Sequence, residues 1–316
     1  MSKNKPNLLA ILPALNEEVS IENTILAIRK VYPGAKILVV DNGSIDNTAK
    51  VAEKLKVSLI HEPQKGKGFA IRTAFKYLKD DTDVVFMVDA DDTYGIEKLI
   101  YAMELIMVSG FDMVVGNRTE IGFKEESRKN EFKIGHALGN KFFTRLSKLL
   151  YPVNINDSLS GWRVMSPGFV RSFPGGASGF EIEAELNAHA FMVKANCVNV
   201  DVGYRGRSAN SHSKLNTYRD GVRILRMNLS NFKNDRPAIA FNLIAFPWLS
   251  LSLFLILRAM DSFLKTGMVV QFPSLIAGVG AFIVSALLWI TGMILQRLKL
   301  IRANLIQFQY NNYKKL

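Results

Sequence analysis

Two long apolar runs without any charged residue limit what this chain can fold into. They cover Ala238 to Leu257 and Phe272 to Leu295, and a short segment with Arg258, Asp261 and Lys265 separates them. A helix of about 20 residues crosses the roughly 30 Å of hydrocarbon in a bilayer. A helix that is apolar all round either lies in a protein core or spans a membrane. Because two such runs occur in succession, we predict a hairpin of two transmembrane helices.

Basic residues flank both runs and indicate their orientation. Lys233 and Arg236 precede the first run, and the second is followed by Arg297, Lys299, Arg302, Lys314 and Lys315. Segments on the cytoplasmic side of a membrane carry an excess of Lys and Arg. We therefore expect both chain ends in the cytoplasm, with residues 1–214 as a cytoplasmic domain and residues 297–316 as a basic cytoplasmic tail.

A basic amphipathic segment leads into the first run. Residues 215–237 place Arg219, Arg223 and Arg226 beside apolar side chains. A basic amphipathic helix binds the surface of a membrane. We expect these residues to form a juxtamembrane interface helix, followed by the transmembrane hairpin at 238–296, with its spans at about 238–257 and 272–295.

The charge of the chain favours an anionic partner. Lys and Arg number 40 against 28 Asp and Glu, which gives a formal net charge of +12. Nucleic acid, anionic lipid and phosphorylated substrates all fit such a charge, but no motif that reads a nucleic-acid groove is present. Cys197 is the only cysteine, so an intrachain disulfide is excluded, and the composition agrees with a cytosolic location.

Short β-rich runs alternate with helical patterns before residue 120. The predicted buried strands are Leu8 to Leu15, Lys36 to Asp41, Val57 to His61, Val84 to Asp89 and Met113 to Val115. Such alternation predicts a mostly parallel, three-layer α/β sheet of the Rossmann-like kind. The first helix is expected to begin at Asn16 as N-cap, with Glu17 and Glu18 in its first turn. Its buried face is expected to carry Ile21, Ile25 and Ile28.

Three carboxylates lie at the end of the fourth predicted strand, in the run Val88-Asp89-Ala90-Asp91-Asp92. In α/β sheets ligands bind beyond the carboxyl ends of the strands. Carboxylates that converge there repel one another unless a cation is present, and a hard divalent ion with open positions for phosphate oxygens fits. We expect Asp91 to be a direct ligand and Asp89 to bind the ion or a sugar. A solvated acidic turn is the alternative.

Three further strand ends offer ligand contacts. Asp41 to Ser44 end the second strand with a carboxylate and a tight turn, and Pro13 to Glu17 end the first strand. Downstream, Gln64 to Gly68 combine two lysines with two glycines that permit close backbone approach to a ligand. Together these motifs offer contacts to a base, a ribose, a diphosphate and a metal, which predicts a site for a nucleotide-diphosphate compound.

These motifs together resemble the family 2 glycosyltransferases of GT-A fold over about residues 7 to 236. The chain is most similar to the polyprenyl-phosphate (dolichyl- or undecaprenyl-phosphate) sugar transferases within that family. The motifs that carry this likeness are Gly116-Asn117-Arg118, Gly135-His136 with Gly139-Asn140, Asp157 with Ser160-Gly161-Trp162-Arg163, Gly179 to Glu183, and Ser213-Lys214-Leu215. The resemblance implies a UDP- or GDP-linked sugar donor, Mg²⁺ or Mn²⁺, inversion at the anomeric carbon and a polyprenyl phosphate acceptor in the membrane.

Site residues follow from the resemblance and the chemistry together. The donor would be bound by Pro13, Leu15, Asn16, Glu17, Asp41, Asn42, Ser44, Lys67, Asp89, Ala90 and Glu181. The metal would be held by Asp89 and Asp91, and the catalytic set would be Asp91, Asp157, Arg118 and Arg163. The acceptor phosphate would be bound by Arg118, Lys133, Arg207 and Lys214. Thr93 stands where some relatives have a metal-binding Gln, and Trp162 replaces a Phe or Tyr.

Several roles stay open at this level. A phosphate monoester has a second pKa near 6 and is already nucleophilic at neutral pH, so Asp157 either serves as a base or orients Arg163 and the sugar. Of Glu181 and Glu183, two residues apart at a helix start, we favour Glu181 as the sugar contact. Rival functions are transfer to a hydroxyl of a glycolipid or polysaccharide, which needs a base, and a nonenzymatic membrane subunit.

Overall fold

The structure is a computed structural model that describes residues 5–119, 154–205 and 237–314. The chain divides into two compact units. The first comprises Met1–Gly221 together with Ile306–Leu316, and the second comprises Val222–Leu305. The predicted amphipathic stretches at 134–150 and 218–232 lie outside the described residues, as does most of the predicted interface helix.

A seven-stranded sheet forms the centre of the first unit in the part of the chain that is described. The strands are β1 (Leu8–Ala14), β2 (Lys36–Asp41), β3 (Ser58–His61), β4 (Val84–Met87), β5 (Met113–Thr119), β6 (Arg163–Met165) and β7 (Cys197–Gly203). The five strands predicted from the sequence are confirmed, with ends that differ by a few residues. Two strands were not predicted from the sequence: β6, which is too short for a recognisable pattern, and β7.

The order of the strands across the sheet is β3-β2-β1-β4-β6-β5-β7. All neighbours pair in parallel except β6, which is antiparallel to both β4 and β5. The amino end of β6 therefore lies where β4 and β5 have their carboxyl ends. In this register Arg163 pairs with Met87 on one side and with Val115 on the other.

Helices cover both faces of this sheet. They are α1 (Ile21–Val31), α2 (Thr48–Lys54), α3 (Lys67–Lys76), α4 (Leu99–Met107), α5 (Pro167–Ser172) and α6 (Ile182–Met192). Alternate residues of β1 face opposite sides, so that Leu8 and Leu12 pack with α1 and α4. Leu9 and Ile11 pack with α3, α5 and α6. The predicted three-layer α/β architecture is confirmed.

The start of α1 differs from the prediction. The helix begins at Ile21, after Ser20, and not at Asn16. Asn16 has a left-handed backbone with φ of 51°. Its N–H donates to Ser44 Oγ at 2.9 Å and its Oδ1 accepts from the Ile45 N–H at 2.8 Å. These bonds to the loop after β2 hold Asn16 outside the helix, while the predicted buried face with Ile21, Ile25 and Ile28 is confirmed.

Two long helices follow in the carboxyl-terminal part, α7 (Pro237–Thr266) and α8 (Phe272–Lys314). Both are long and apolar enough to cross a membrane, and only 11% and 22% of the residues in their most apolar stretches are buried. Such exposure does not fit the core of a soluble protein. The second helix is longer than its predicted span, because α8 continues to Lys314 through the segment predicted to be a tail.

Small residues line the contact between α7 and α8 in the second unit. A Cβ added at Gly292 would lie 2.8 Å from Phe241 Cβ, and one added at Gly278 would lie 2.9 Å from Ile256 Cγ1. The Ser285 hydroxyl donates to the Ala245 carbonyl at 3.2 Å. Close backbone approach through small residues and hydroxyl bonds between helices is typical of membrane helices. The two helices are consistent with the predicted transmembrane hairpin.

Candidate active site

Most of the described candidate residues lie along one edge of the sheet, at or just beyond the carboxyl ends of the parallel strands. Asp41 ends β2, Pro13 lies near the end of β1, Asp89 follows β4, and Arg118 lies near the end of β5. Neighbouring strands are about 4.8 Å apart. Along this edge the side chains therefore follow the spatial order β2, β1, β4, β5. The antiparallel β6 lies between β4 and β5.

The segments after β1 and β2 are joined by hydrogen bonds. Besides the bonds of Asn16, the Glu17 N–H donates to Thr48 Oγ1 at 2.7 Å, and the Asn47 N–H donates to Glu18 Oε2 at 2.9 Å. Glu17 is buried and its Oε2 accepts from the Ser20 hydroxyl at 2.7 Å. Pro13 and Leu15 are half-buried. These residues form the wall of the crevice next to Asp41.

Asp41 lies at the base of this wall, with only 4% of its surface exposed. Its Oδ1 accepts from the Ser44 N–H at 3.1 Å, and its Oδ2 lies 3.1 Å from Nδ1 of the exposed His61. The carboxylate is therefore held in one orientation by the turn that the sequence analysis assigned to nucleotide binding. His61 was not predicted to be a site residue. It ends β3 and lies beside Asp41, because β2 and β3 pair in parallel.

Asn42, predicted to contact the donor, has a structural role in the described residues. The residue is 3% exposed, and its Nδ2 donates to the carbonyls of Glu62 and Gln64, at 3.2 and 2.7 Å. Its Oδ1 accepts from the Gly66 N–H at 2.6 Å. Because both ends of the amide are used inside the protein, Asn42 positions the loop that leads to α3.

The glycines of that loop face another segment of the chain. A Cβ at Gly66 would lie 2.0 Å from the Ser178 carbonyl oxygen, and one at Gly68 would lie 2.4 Å from that of Ala177. The Gly68 N–H donates to the Ser178 carbonyl at 3.2 Å. The sequence analysis attributed these glycines to close approach of a ligand. In the structure they permit the close approach of the loop before α6.

Lys67, the first residue of α3, joins two carboxylates. Its Nζ lies 2.5 Å from Asp89 Oδ1 and 2.5 Å from Glu183 Oε1, and the ammonium is 5.7 Å from the centre of the Phe180 ring. Burial lowers the pKa of Lys67, but the two carboxylates outweigh it and hold that pKa above its ordinary value. Lys67 is thus a permanent cation at the end of β4.

Glu183, rather than Glu181, reaches this cluster. Glu181 Oε1 accepts from the N–H groups of Ser178 and Gly179, at 3.1 and 2.9 Å, and from the Ser178 hydroxyl at 3.1 Å. One oxygen of Glu181 thus holds its own loop, whereas Glu183 is 3% exposed and bonds Lys67. Burial raises the pKa of Glu183, and Lys67 counteracts that effect. The preference for Glu181 is not supported by this geometry.

The carboxylates after β4 offer hard oxygen donors for a divalent cation. Asp91 Oδ1 accepts from the Thr93 N–H at 3.2 Å and from the Thr93 hydroxyl at 2.6 Å. Thr93 therefore orients Asp91 and is not itself placed as a metal ligand. Asp89 gives one oxygen to Lys67, and a Cβ on Gly161 would lie 2.3 Å from its Oδ2.

These donors fit a divalent cation that takes most of its ligands from a substrate. In the described residues, no group of three or more His, Cys, Asp or Glu side chains is placed to hold a metal ion. Mg²⁺ is usually bound through one or two carboxylates together with phosphate oxygens and water. Asp91, with Asp89 beside it, matches that chemistry.

Arg118 and Asp157 form a two-point ion pair near the end of β5. Arg118 Nε donates to Asp157 Oδ2 at 2.5 Å and Nη2 donates to Oδ1 at 2.8 Å. Burial lowers the pKa of Arg118, but the bonds to Asp157 outweigh it and raise that pKa above its ordinary value. A quarter of the Arg118 side chain stays exposed. The pair thus presents a fixed cation to the crevice.

Two tyrosines that the sequence analysis missed support this pair. The Arg118 guanidinium lies 5.5 Å from the centre of the Tyr204 ring, which packs edge-on against Tyr94 with ring centres 5.3 Å apart. The Tyr94 hydroxyl accepts from the Gly161 N–H at 2.9 Å. Neither tyrosine belongs to a recognisable sequence motif. They are brought together by an isolated antiparallel β-bridge between Tyr94 and Tyr204, which lie far apart in the sequence.

Arg163, predicted to be a catalytic residue, lies in the core beneath the sheet edge. It is 0% exposed, and its guanidinium donates to Asn187 Oδ1 at 2.7 Å and to the carbonyls of Ser158, Ser160 and Glu183 at 3.1 to 3.3 Å. The anticipated ion pair between Asp157 and Arg163 is replaced by that of Asp157 with Arg118. Trp162 is also fully buried and packs against Phe86.

Three candidate residues lie outside the described part of the chain. They are Lys133, Arg207 and Lys214, all assigned to the acceptor phosphate from the sequence. Ala90, assigned to the donor, is buried between Asp89 and Asp91. Ser44 is half-buried and bonds Asn16, as described above.

The sequence matches a known family over the residues that form β1 to β6. The model of the family described as glycosyl transferase family 2 matches residues 9–167. The protein RfbJ of Shigella flexneri is 37% identical over 123 residues, which are 39% of this chain and 94% of that protein. The dolichyl-phosphate hexose transferase of Haloferax volcanii is 28% identical over 218 residues, which are 69% of this chain and 90% of that protein.

Solved structures share the fold of the first unit. Glucosyl-3-phosphoglycerate synthase of Mycobacterium tuberculosis, in complex with Mn²⁺, UDP and phosphoglyceric acid, superposes with a TM-score of 0.56 and 20% identity over 71% of this chain and 78% of that one. Its complex with Mn²⁺ and UDP-glucose gives a TM-score of 0.54 and 21% identity over 71% of this chain and 79% of that one. At such identities the likeness shows the fold alone, and it confirms the predicted GT-A fold.

Proposed function

The chain belongs to glycosyl transferase family 2, and we propose that it moves a hexose, with inversion, from a nucleotide-diphosphate sugar to a polyprenyl phosphate in the membrane. The product would be a polyprenyl-phosphate-linked sugar that serves as donor in the assembly of cell-surface glycans or glycoproteins. Glycosyltransferase activity follows from the family. The donor, acceptor and metal are the parts that we propose here.

The ion pair between Arg118 and Asp157 is the observation that carries the choice of acceptor. Both oxygens of Asp157 accept hydrogen bonds from Arg118, so this carboxylate holds a guanidinium towards the crevice. A phosphate monoester needs no base, because it is largely a dianion at neutral pH. It needs a cation instead, and the N–H groups of Arg118 that do not bond Asp157 can bind phosphate oxygens.

The binding of the donor would follow the order of the strands. Asp41 would contact the base or ribose, the β1 wall would flank the nucleotide, and the diphosphate would lie towards Asp91. Asp91, with Asp89, would hold Mg²⁺ or Mn²⁺, and a metal at this position would neutralise the departing nucleoside diphosphate. The Mn²⁺ in the superposed synthase structures supports this proposal.

The two apolar helices support a lipid acceptor. A polyprenyl chain stays in the bilayer and only its phosphate reaches the water, so the enzyme has to work at the membrane surface. We place the catalytic unit on the cytoplasmic face, because basic residues flank both spans. Lys133, Arg207 and Lys214 would complete the phosphate site, and residues 215–237 would bind anionic headgroups. The name of the Haloferax volcanii relative agrees with such an acceptor.

A transfer assay with purified full-length protein tests the proposal. The protein in detergent would be incubated with Mg²⁺ or Mn²⁺, a panel of UDP- and GDP-sugars, and a polyprenyl phosphate, and both released nucleoside diphosphate and labelled lipid would be measured. We expect lipid-dependent release with one donor, lost in Asp91→Ala and kept in Asp81→Ala, which changes an exposed carboxylate paired with Lys36.

The remaining outcomes separate the rival functions. Donor hydrolysis without labelled lipid, together with transfer to a glycolipid or polysaccharide hydroxyl, would replace the polyprenyl phosphate by a hydroxyl acceptor. Failure to turn over any donor with any acceptor would favour a nonenzymatic membrane subunit.

A further inference from the structure

We propose that α8 pairs in parallel with the α8 of a second copy of this chain, through an apolar stripe beyond the membrane span. The stripe consists of Leu298, Ile301, Leu305 and Phe308. It contains none of the residues assigned to the donor, the acceptor or the metal. The inference therefore goes beyond the proposed function and does not depend on which sugar or lipid the protein uses.

The stripe is exposed although its four side chains are large and apolar. All of them are between 56% and 65% exposed. They recur at intervals of three, four and three positions, so at about 100° per residue they share one face of the helix. Single apolar residues are ordinary on protein surfaces, but a contiguous apolar patch marks an interaction site. The stripe therefore calls for a partner.

The side of α8 that points away from the stripe is already occupied. Ile306 and Tyr310 are 7% and 4% exposed and belong to the hydrophobic core of the first unit. Tyr310 hydrogen-bonds Asp112, and the Arg171 guanidinium lies 5.9 Å from the centre of the Tyr313 ring. The three α8 side chains in these contacts point roughly 130° away from the stripe around the helix axis. The catalytic unit thus holds one side of the helix and leaves the stripe uncovered.

Lipid does not account for the outer half of the stripe. The uncharged run Phe272 to Leu295 is about 36 Å long as a helix, which fills the roughly 30 Å of hydrocarbon, and the headgroup layer beyond is about 5 to 8 Å thick. Because α8 continues as one helix to Lys314, Leu305 and Phe308 lie about 15 and 20 Å beyond Leu295 along its axis. A tilt of about 20° changes these heights little. Leu305 and Phe308 therefore lie in water, where only another protein surface can bury them.

The membrane makes a second copy the matching partner. Every copy is inserted with the same orientation, so two stripes lie at the same height and run in parallel, as a two-fold axis along the membrane normal requires. Intervals of three and four residues are those of the contact positions in a left-handed coiled coil. The same spacing continues to the exposed Ile294 on one side and to the exposed Asn312 on the other. A single Asn at such a position fixes the register of a parallel pair.

Charge and area agree with this pairing. Beyond the headgroups the positions that flank the stripe are uncharged, namely Asn304, Gln309 and Asn311. Arg297 and Arg302 lie closer to the membrane, where anionic headgroups offset the repulsion between two copies. Exposed side chains of this size offer on the order of 100 Å² each, so the stripe and Ile294 give about 500 Å² per copy. Two copies then reach the roughly 1,000 Å² of total area that a specific interface needs.

Disulfide trapping in membranes tests the pairing. Full-length Cys197→Ala protein would carry one new cysteine, either in Leu305→Cys on the stripe or in Leu300→Cys, which changes an exposed leucine of α8 off the stripe. A disulfide needs two Cβ atoms about 3.5 to 4.5 Å apart, so we expect Leu305→Cys to give at least about tenfold more covalent dimer than Leu300→Cys. The dimer should have twice the chain mass of 35.4 kDa. Its yield should not fall when the membranes are diluted with lipid.

A charge on the stripe gives an independent measurement. In lipid nanodiscs, mass photometry should find wild type and Leu300→Glu as dimers and Leu305→Glu as a monomer, all with similar melting temperatures. Equal trapping at positions 300 and 305, a monomeric wild type, or a Leu305→Glu protein that stays dimeric would overturn the proposal. Trapping of Leu305→Cys with a different membrane protein instead of a second copy would also overturn it and would make that protein the partner of the stripe.

Discussion

Arg118 holds both side-chain oxygens of Asp157, from Nε at 2.5 Å and from Nη2 at 2.8 Å. A carboxylate bound in this way fixes the orientation of the guanidinium. The sequence left open whether Asp157 is a base or an orienting residue. The two roles predict different kinetics for a variant at this position.

Replacing Asp157 by Asn should weaken the binding of the acceptor without abolishing the transfer step. The amide can keep only one of the two bonds to Arg118, so we expect the KM for polyprenyl phosphate to rise more than about fivefold and kcat to fall less than about 100-fold. Steady-state kinetics at several pH values check this. A loss of kcat beyond about 1,000-fold, with the acidic limb of the pH profile removed, would identify Asp157 as a base.

Replacing Tyr204 should act on the acceptor through Arg118. A cation over an aromatic ring contributes about 0.5 to 2 kcal/mol, so Tyr204→Leu should raise the KM for polyprenyl phosphate by about 2- to 30-fold, and Tyr204→Phe should restore it. Tyr101→Leu changes an exposed tyrosine on α4 and serves as the control. An equal rise in the KM for the donor would show that Tyr204 supports the whole site rather than Arg118.

Replacing Lys67 by Met should destabilise the protein more at high pH than at low pH. Removing one partner from a buried ion pair costs about 3 to 5 kcal/mol. Without the ammonium, burial and Asp89 raise the pKa of Glu183 further than in the wild type. The folded variant then binds more protons than the unfolded chain above the ordinary pKa of Glu, and its stability falls as pH rises.

Thermal unfolding of Lys67→Met and wild type at pH 5 and pH 8 measures this difference. We expect a larger gap between the two melting temperatures at pH 8. A gap that is equal at both values, or larger at pH 5, would contradict the proposed coupling between Lys67 and Glu183.

Replacing Gly68 by Ala should push the first turn of α3 away from the loop before α6. The new Cβ would lie 2.4 Å from the Ala177 carbonyl oxygen, and backbone has to move to relieve that contact, at a cost of about 1 to 3 kcal/mol. We expect a lower melting temperature and weaker nucleoside diphosphate binding. Gly34→Ala is the matched control, since its Cβ meets only Tyr32, at an ordinary 3.6 Å. Equal behaviour of the two variants would refute the close packing of the loop.

The two carboxylates after β4 should differ in their importance for the metal. Asp89 already gives one oxygen to Lys67, whereas Asp91 is oriented by Thr93. Electron paramagnetic resonance with Mn²⁺ and nucleoside diphosphate should show a loss of affinity of more than about tenfold in Asp91→Asn and a smaller loss in Asp89→Asn. Chelation with EDTA should abolish transfer reversibly. The opposite ranking would make Asp89 the main ligand.

Local patterns were sufficient for much of this fold. The strands β1 to β5 could be predicted because each is a short apolar run bounded by turn residues, and the face of α1 because its isoleucines recur at helical spacing. The start of α1 could not, because Asn16 has good N-cap chemistry but is bonded to Ser44 and Ile45, 28 and 29 residues away.

The fold class, the two apolar helices and the acidic motif at the crevice could be predicted without a structure, because they depend on periodicity, length and residue type within one segment. Which side chains work together became visible in the folded chain. The antiparallel β6 buries Arg163, Asp157 pairs with Arg118 from 39 positions earlier, and Lys67 meets Glu183 from 116 positions earlier. These pairings depend on the order of the strands and on the need to pair every buried charge. Neither can be predicted from a local segment of the sequence.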